Sequence, residues 1–266
     1  MKLSFRCFLV LLFASLMFSC STNNVHVRKE WKKYFAGNGV TGSFMLHNTG
    51  LNTFEIYNLG GTQQRFMPVG TFDIMNALTG LETGVISDTN MVIKDSLGHP
   101  VDGVNPDLTM GEAFRRSDVP YFQEVARRVG STKMQFWIDS VKYGNETMGA
   151  RIDSFWMDNT LKLSVDEQVG LLQGLYTGKL PFQPRTQTLV KSLMFRKKGP
   201  DYTMSYHAGA GFVGDQKVGW VVGWIEKGAR PHFFALNMET PDSTKDLKAL
   251  GFKIVHDILN DAGYFK

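Results

Sequence analysis

The sequence predicts an α/β protein of the α+β kind, one antiparallel sheet flanked by helices. Three observations predict it: short β-type runs come first, apolar residues at helical spacing fill the middle, and the last third returns to strands before a final amphipathic helix. Gly42 to Leu46 and Thr53 to Tyr57 are the first two strands. They are joined through His47-Asn48-Thr49-Gly50, whose Asn and Gly supply turn conformations. After a Gly-Gly break, a helix is predicted to begin near Val69 or Gly70. Ile74, Met75, Leu78 and Leu81 then recur at helical spacing up to Gly84, a C′ residue. From about Thr109 to Phe195 the chain reads as mainly helical, and Ser164-Val165-Asp166-Glu167 forms a capping box ahead of Val169, Leu171, Leu172 and Leu175. Thr203 to Tyr206, Val218 to Ile225 and Phe233 to Met238 complete a set of five strands. Leu247, Leu250, Ile254, Val255 and Ile258 mark a last helix from about Lys245 to Leu259.

The N-terminal end sets an expectation about compartment. Lys2 and Arg6 precede an apolar run from Cys7 to Phe18 that is too short to span a bilayer, as in a secretory signal. The run ends in Met17-Phe18-Ser19-Cys20, similar to a bacterial lipobox, although Met17 and Phe18 depart from the usual Leu and small residue. Residues 1–19 are therefore expected to be removed, Cys20 to be lipidated, residues 20–38 to form a tether, and residues 39–266 to form the domain. The competing readings are an ordinary signal peptide cut near Ser19 and an uncleaved anchor. The expected place is the bacterial envelope, with the membrane reached through the lipid on Cys20.

Cleavage would leave one cysteine, taken by the lipid, and so no internal disulfide. With 43% hydrophobic and 12% aromatic residues the chain can build a core by packing alone. The mature chain is near-neutral with interspersed charges, which argues against nucleic acid as a partner. Gly37-Asn38-Gly39-Val40-Thr41-Gly42 fits GxGxxG but precedes a strand instead of following one, so it is no nucleotide motif. The six histidines are scattered without ligand spacing, and no metal or cofactor is expected. Trp220, Trp224, Phe233 and Phe234 read as strand core.

Several separated fragments together, in order and spacing, resemble the class D (oxacillinase-type) serine β-lactamases, relatives of the penicillin-binding transpeptidases. Pro68-Val69-Gly70-Thr71-Phe72-Asp73-Ile74 looks like that family's Pro-Ala-Ser-Thr-Phe-Lys-Ile, and Ser117-Asp118-Val119 like its Ser-x-Val. Tyr143-Gly144-Asn145 looks like its Tyr-Gly-Asn, Phe155-Trp156 is shared, and His207-Ala208-Gly209 sits where the family has Lys-Thr-Gly. The likeness covers nearly the whole mature chain. It implies a five-stranded antiparallel sheet, a helical lobe and a site between them.

The family's chemistry, as the resemblance implies it, uses the serine of Ser-x-x-Lys as nucleophile and the lysine, carbamylated and held by a tryptophan, as base. The i, i+3 spacing puts both on one helix face. Here those positions are Gly70, which has no oxygen to acylate, and Asp73, which has no amine to carbamylate. Deleting a serine nucleophile costs on the order of a million-fold in turnover. Thr71 is turned about 100° away on a helix and reads as structural. Ser117 is either a ligand-contacting hydroxyl or the cap of a turn. Val119 completes that motif, while His207 and Gly209 are expected at a weakened ligand clamp in which Ala208 has lost the threonine hydroxyl. The family's arginine near the last helix is missing, since only Lys245, Lys248 and Lys253 follow Arg230. Tyr143 and Asn145 read equally as a turn, and Trp156 on its type as core. The reading is an inactive relative that binds a β-lactam or peptidoglycan-like ligand, or an envelope protein partner. The alternatives are a slow hydrolase using Asp73 or Ser117, and a sensor or scaffold for cell-wall enzymes.

Overall fold

A computed structural model describes residues 24–94, 98–228 and 230–265. The expected signal segment and Cys20 lie outside the described residues. One seven-stranded sheet runs through the molecule in the order β1-β3-β2-β7-β6-β5-β4, with β1 at Val25–Val27, β2 at Thr41–Asn48, β3 at Thr53–Tyr57, β4 at Phe195–Lys198, β5 at Tyr202–Val213, β6 at Gln216–Lys227 and β7 at Arg230–Thr240. The α+β class stands, with two more strands than the five expected. The additions are the edges β4, a Phe-Arg-Lys-Lys run too charged to read as a strand, and β1, only three residues long. Because β1 pairs parallel to β3, the sheet is also not wholly antiparallel.

The domain therefore starts earlier than Gly39. Val25 pairs with Phe54 and Val27 with Ile56, helix α1 (Lys32–Ala36) follows a 3-10 turn at Lys29–Trp31, and a one-turn helix α2 (Leu59–Thr62) follows β3. Trp31 and Phe35 are buried, Trp31 edge-on to Phe44 and Phe35 stacked on Tyr57. Polar composition concealed two aromatic anchors at helical spacing, so most of the expected tether belongs to the fold.

Two apolar cores lie on the two faces of the sheet. On one, helix α9 (Leu247–Asp261) lays Leu247, Ile254, Val255 and Ile258 against Val221, Leu236 and Met238, together with Trp31 and Phe35. On the other sits the helical lobe: α3 (Asp73–Glu82), α4 (Met110–Arg116), α5 (Val119–Val129), α6 (Ser131–Val141), α7 (Val165–Thr177) and α8 (Pro184–Leu193). Trp220 and Phe233 point into this face, alternating with Val221 and Phe234 on the other, as the period of a strand requires. The α7 capping box is present: the Ser164 hydroxyl accepts from Glu167 N, and Glu167 Oε2 accepts from Ser164 N at 2.8 Å. Helix α3 ends with Thr83 at the C-cap and Gly84 at φ +74, the left-handed conformation that favours glycine.

Trp31→Ala is expected to destabilise the protein by about 3–5 kcal/mol, the cost of emptying a buried aromatic site. A tether residue would give a change near zero in urea-induced unfolding, so the measurement separates the two placements.

Candidate functional site

The site forms where α3 meets β5. A 3-10 turn, Val69–Phe72, leads directly into α3, so Gly70 and Asp73 sit three residues apart at the start of the helix. On β5, residues 207, 209 and 211 share one face, and two of the three are glycine. That is why the strand backbone can lie against the turn. A Cβ on Gly209 would stand 2.6 Å from Gly70 N and 2.7 Å from Gly70 Cα, and one on Gly70 would stand 3.1 Å from Gly209 Cα and 3.3 Å from Ser117 Oγ. The two glycines are in backbone contact across the site.

Val69 holds φ +47, an outlier for a β-branched residue, with its amide bonded to Trp156 O at 3.2 Å. Thr71 is fully buried. Its hydroxyl donates to Pro68 O at 2.7 Å and accepts from Gln168 Nε2 at 2.9 Å, so it points away from the cleft, as its place in the turn predicts.

Asp73 is 3% exposed, and its Oδ2 has no hydrogen-bond partner among the described residues. His207 lies 3.5 Å from that oxygen, but its Nε2 is 3.0 Å from Gly70 O. A carbonyl only accepts, so Nε2 carries the hydrogen and aims it at Gly70; its contact with Asp73 is electrostatic and not a second hydrogen bond. Burial pushes the Asp73 carboxyl above the ordinary carboxylate range, and His207, Lys248 and Ser117 offset this only in part.

His207 itself is fully buried, with its ring 4.1 Å from that of Phe114. The expectation that His207 stands at a ligand clamp is therefore corrected. Imidazole is shorter than lysine and tilts under the floor of the cleft, where it holds the 3-10 turn.

A cavity of about 200 Å³ opens above this floor, lined by Gly70, Asp73, Ser117, Val119, Trp156 and Lys248 together with Met67, Val69, Met157 and Phe212. Ser117 ends α4 in the left-handed conformation, φ 51, and its Oγ donates to Ala208 O at 3.3 Å, so it both closes a turn and faces the cleft. Trp156 is core and wall at once: 1% exposed, stacked on Phe72 at 5.2 Å, and a lining residue. Tyr143 and Asn145 stand outside this lining. Tyr143 is buried edge-on to Phe72. Asn145 staples two loop strands, donating to Thr160 O at 2.8 Å and accepting from Lys162 N at 2.9 Å.

Lys248 is the residue that sequence reasoning passed over. It was one of three lysines near the last helix, and only its place in the first turn of α9 brings it to the cavity. The apolar wall of Met67, Met157 and Phe212 was equally invisible, because those residues are distant in sequence and have no motif.

Two outcomes follow. Gly209→Ala is expected to cost at least 1–3 kcal/mol, because backbone and not a flexible side chain blocks the new methyl; urea titration checks it. Asp73 holds its proton more tightly folded than unfolded, so its burial costs stability as pH rises from the ordinary carboxylate range through its raised folded value, and costs nothing below that range. Asp73→Asn is thus expected to raise Tm at neutral pH by a margin that shrinks as pH falls toward ~4, the ordinary range of a carboxyl. A margin independent of pH would contradict the assignment.

Comparison with known proteins agrees with this geometry. Residues 32–260 match the family described as Transpeptidase, the penicillin binding protein transpeptidase domain. The β-lactamase OXA-5 of Pseudomonas aeruginosa is 35% identical over 249 residues, covering 90% of this chain and 93% of the relative. Among solved structures, the class D β-lactamase YbXI from Nostoc superposes with a TM-score of 0.80 at 31% identity, covering 89% of this chain and 99% of that one. The C-terminal domain of the Bacillus licheniformis BlaR penicillin-receptor superposes with a TM-score of 0.82 at 25% identity, covering 92% and 99%. With a buried helix start facing a glycine-bearing strand, and with likeness along nearly its whole length, the chain belongs to the penicillin-binding transpeptidase family, among the class D β-lactamases.

Proposed function

We propose that this chain is an exported lipoprotein of the bacterial envelope whose penicillin-binding-type domain does not turn over β-lactams and instead holds a cell-wall-like ligand in its cleft. One observation carries the reading: the position that must supply a nucleophilic oxygen is Gly70, and the neighbouring hydroxyl of Thr71 is locked into bonds with Pro68 and Gln168. Acyl transfer needs an oxygen in line with the substrate carbonyl and a base to take its proton. Gly70 provides no oxygen, and Asp73 provides a carboxyl where the family's base is an amine-derived group. The penicillin-receptor among the similar structures supports a binding role for the same frame.

The hydrolytic alternative, activation of water or Ser117 by Asp73, is favoured by the orphaned Oδ2 of Asp73 in a cavity that Ser117 shares. It predicts nitrocefin turnover that vanishes in Asp73→Asn or Ser117→Ala. Activity unchanged in both would remove it.

The leading reading is tested by incubation with a fluorescent penicillin and intact-mass measurement, with an unmodified chain as the expected result. Any stable adduct overturns it. Gly70→Ser is expected to fold with a loss of about 1 kcal/mol, the low end for overpacking, and to remain unacylated because Asp73 stands where the family's amine-derived base belongs. Lipid anchoring predicts that Cys20→Ser moves the protein from the membrane to the soluble fraction.

A further inference from the structure

We infer that the cleft beside Gly70 is a site for a small ligand bearing both an ammonium group and a carboxylate on an apolar body, the ammonium held by Asp73 and the carboxylate by Lys248. The inference deepens the proposed binding function and rests on it, because a cleft that acylated its ligands would select for a reactive carbonyl.

The first support is Asp73. Its Oδ2 is buried, without a hydrogen-bond partner, and belongs to a side chain that lines the cavity. A buried carboxylate oxygen left without a donor is costly, and among the described residues the hydrogen on His207 Nε2 is directed at Gly70 O and the Ser117 hydroxyl at Ala208 O. A ligand N–H in the cavity would satisfy it. A positively charged donor does so best, because opposite charge within hydrogen-bond reach favours the ionised carboxyl that burial opposes. An anionic ligand group at the same place would meet a like charge.

The second support is Lys248, which lines the same cavity. Its Nζ reaches Arg116 O at 3.4 Å, a long contact that leaves donors of the ammonium for a ligand. Ser117 lines the same cavity, and its hydroxyl can accept from the ligand's amine or donate to its carboxylate. The cavity thus presents a negative and a positive side chain to one occupant, the arrangement that an α-amino acid end complements.

The remaining wall fixes the body of the ligand. Met67, Val69, Trp156, Met157 and Phe212 offer carbon, and Phe212 is 52% exposed at the rim, an apolar group held in water when nothing covers it. The volume of about 200 Å³ lies below that of sites for drug-sized molecules and suits a body the size of one amino-acid side chain. Two sources share this chemistry: a free amino acid, and the far end of a diamino acid in a cell-wall stem peptide.

Isothermal titration of the full mature chain with L- and D-leucine, their N-acetyl and carboxamide forms, and a stem tripeptide ending in diaminopimelate tests the inference. At least one zwitterionic probe is expected to bind, and both N-acetylation and amidation to weaken binding tenfold or more. Asp73→Asn is expected to erase the penalty of N-acetylation, and Lys248→Gln that of amidation. Tighter binding of the tripeptide assigns the stem peptide as source, and tighter binding of leucine the free amino acid. Equal affinity for amine and N-acetyl forms in the unaltered protein, or no zwitterion bound at ~10 mM, where even millimolar sites fill, overturns the inference whether or not the variants fold. A penicillin adduct would instead overturn the reading on which it rests, so the two failures are distinguishable.

Discussion

The backbone contact between Gly70 and Gly209 is the constraint on which the site depends. It brings β5 against the 3-10 turn closely enough that a methyl on either residue would press on main chain. The sheet then becomes one wall of the cleft and the start of α3 its floor. His207, on the same strand face, ties the two together by donating to Gly70 O. The same closeness fixes what the site can do. The position where the family carries a nucleophile offers no oxygen, and the hydroxyl next along the turn serves Pro68 and Gln168.

Much of the fold was legible in the sequence because its signals are local. The capping box at Ser164, the Gly84 that ends α3 and the alternation of Trp220 with Val221 each follow from residues within a few positions of one another. Edges were harder to read. Strand β4 carries an Arg and two Lys residues, and β1 is only three residues long, so neither offers an apolar run that reads as a strand. Trp31 and Phe35 were hidden in a polar stretch because their burial depends on α9, far away in the chain, and on Phe44 and Tyr57 of the following hairpin.

The candidate site was legible only in part, for a different reason. Motif spacing found Gly70, Asp73, Ser117, Val119 and Trp156, all of which line one cavity. It could not tell a side chain pointing up from one pointing down. His207 is the instance: position on the strand suggested ligand contact, yet the imidazole is buried beneath the floor with Phe114 beside it. Conversely, Lys248 had no motif, and only its place in the first turn of α9 brings it to the cavity. Tyr143 and Asn145 keep the family's letters while packing and stapling loops outside the cavity lining.

Val69 remains in a backbone conformation that a β-branched residue adopts only under compulsion, at a cost of order 1–3 kcal/mol. Its surroundings supply the compulsion, through the Trp156 carbonyl and the strand opposite. A turn held by its neighbours in this way has little freedom left to lose when a guest arrives. For the ligand we propose, the ordering that usually taxes recognition has already taken place during folding, so even a few polar contacts above that floor can register as affinity.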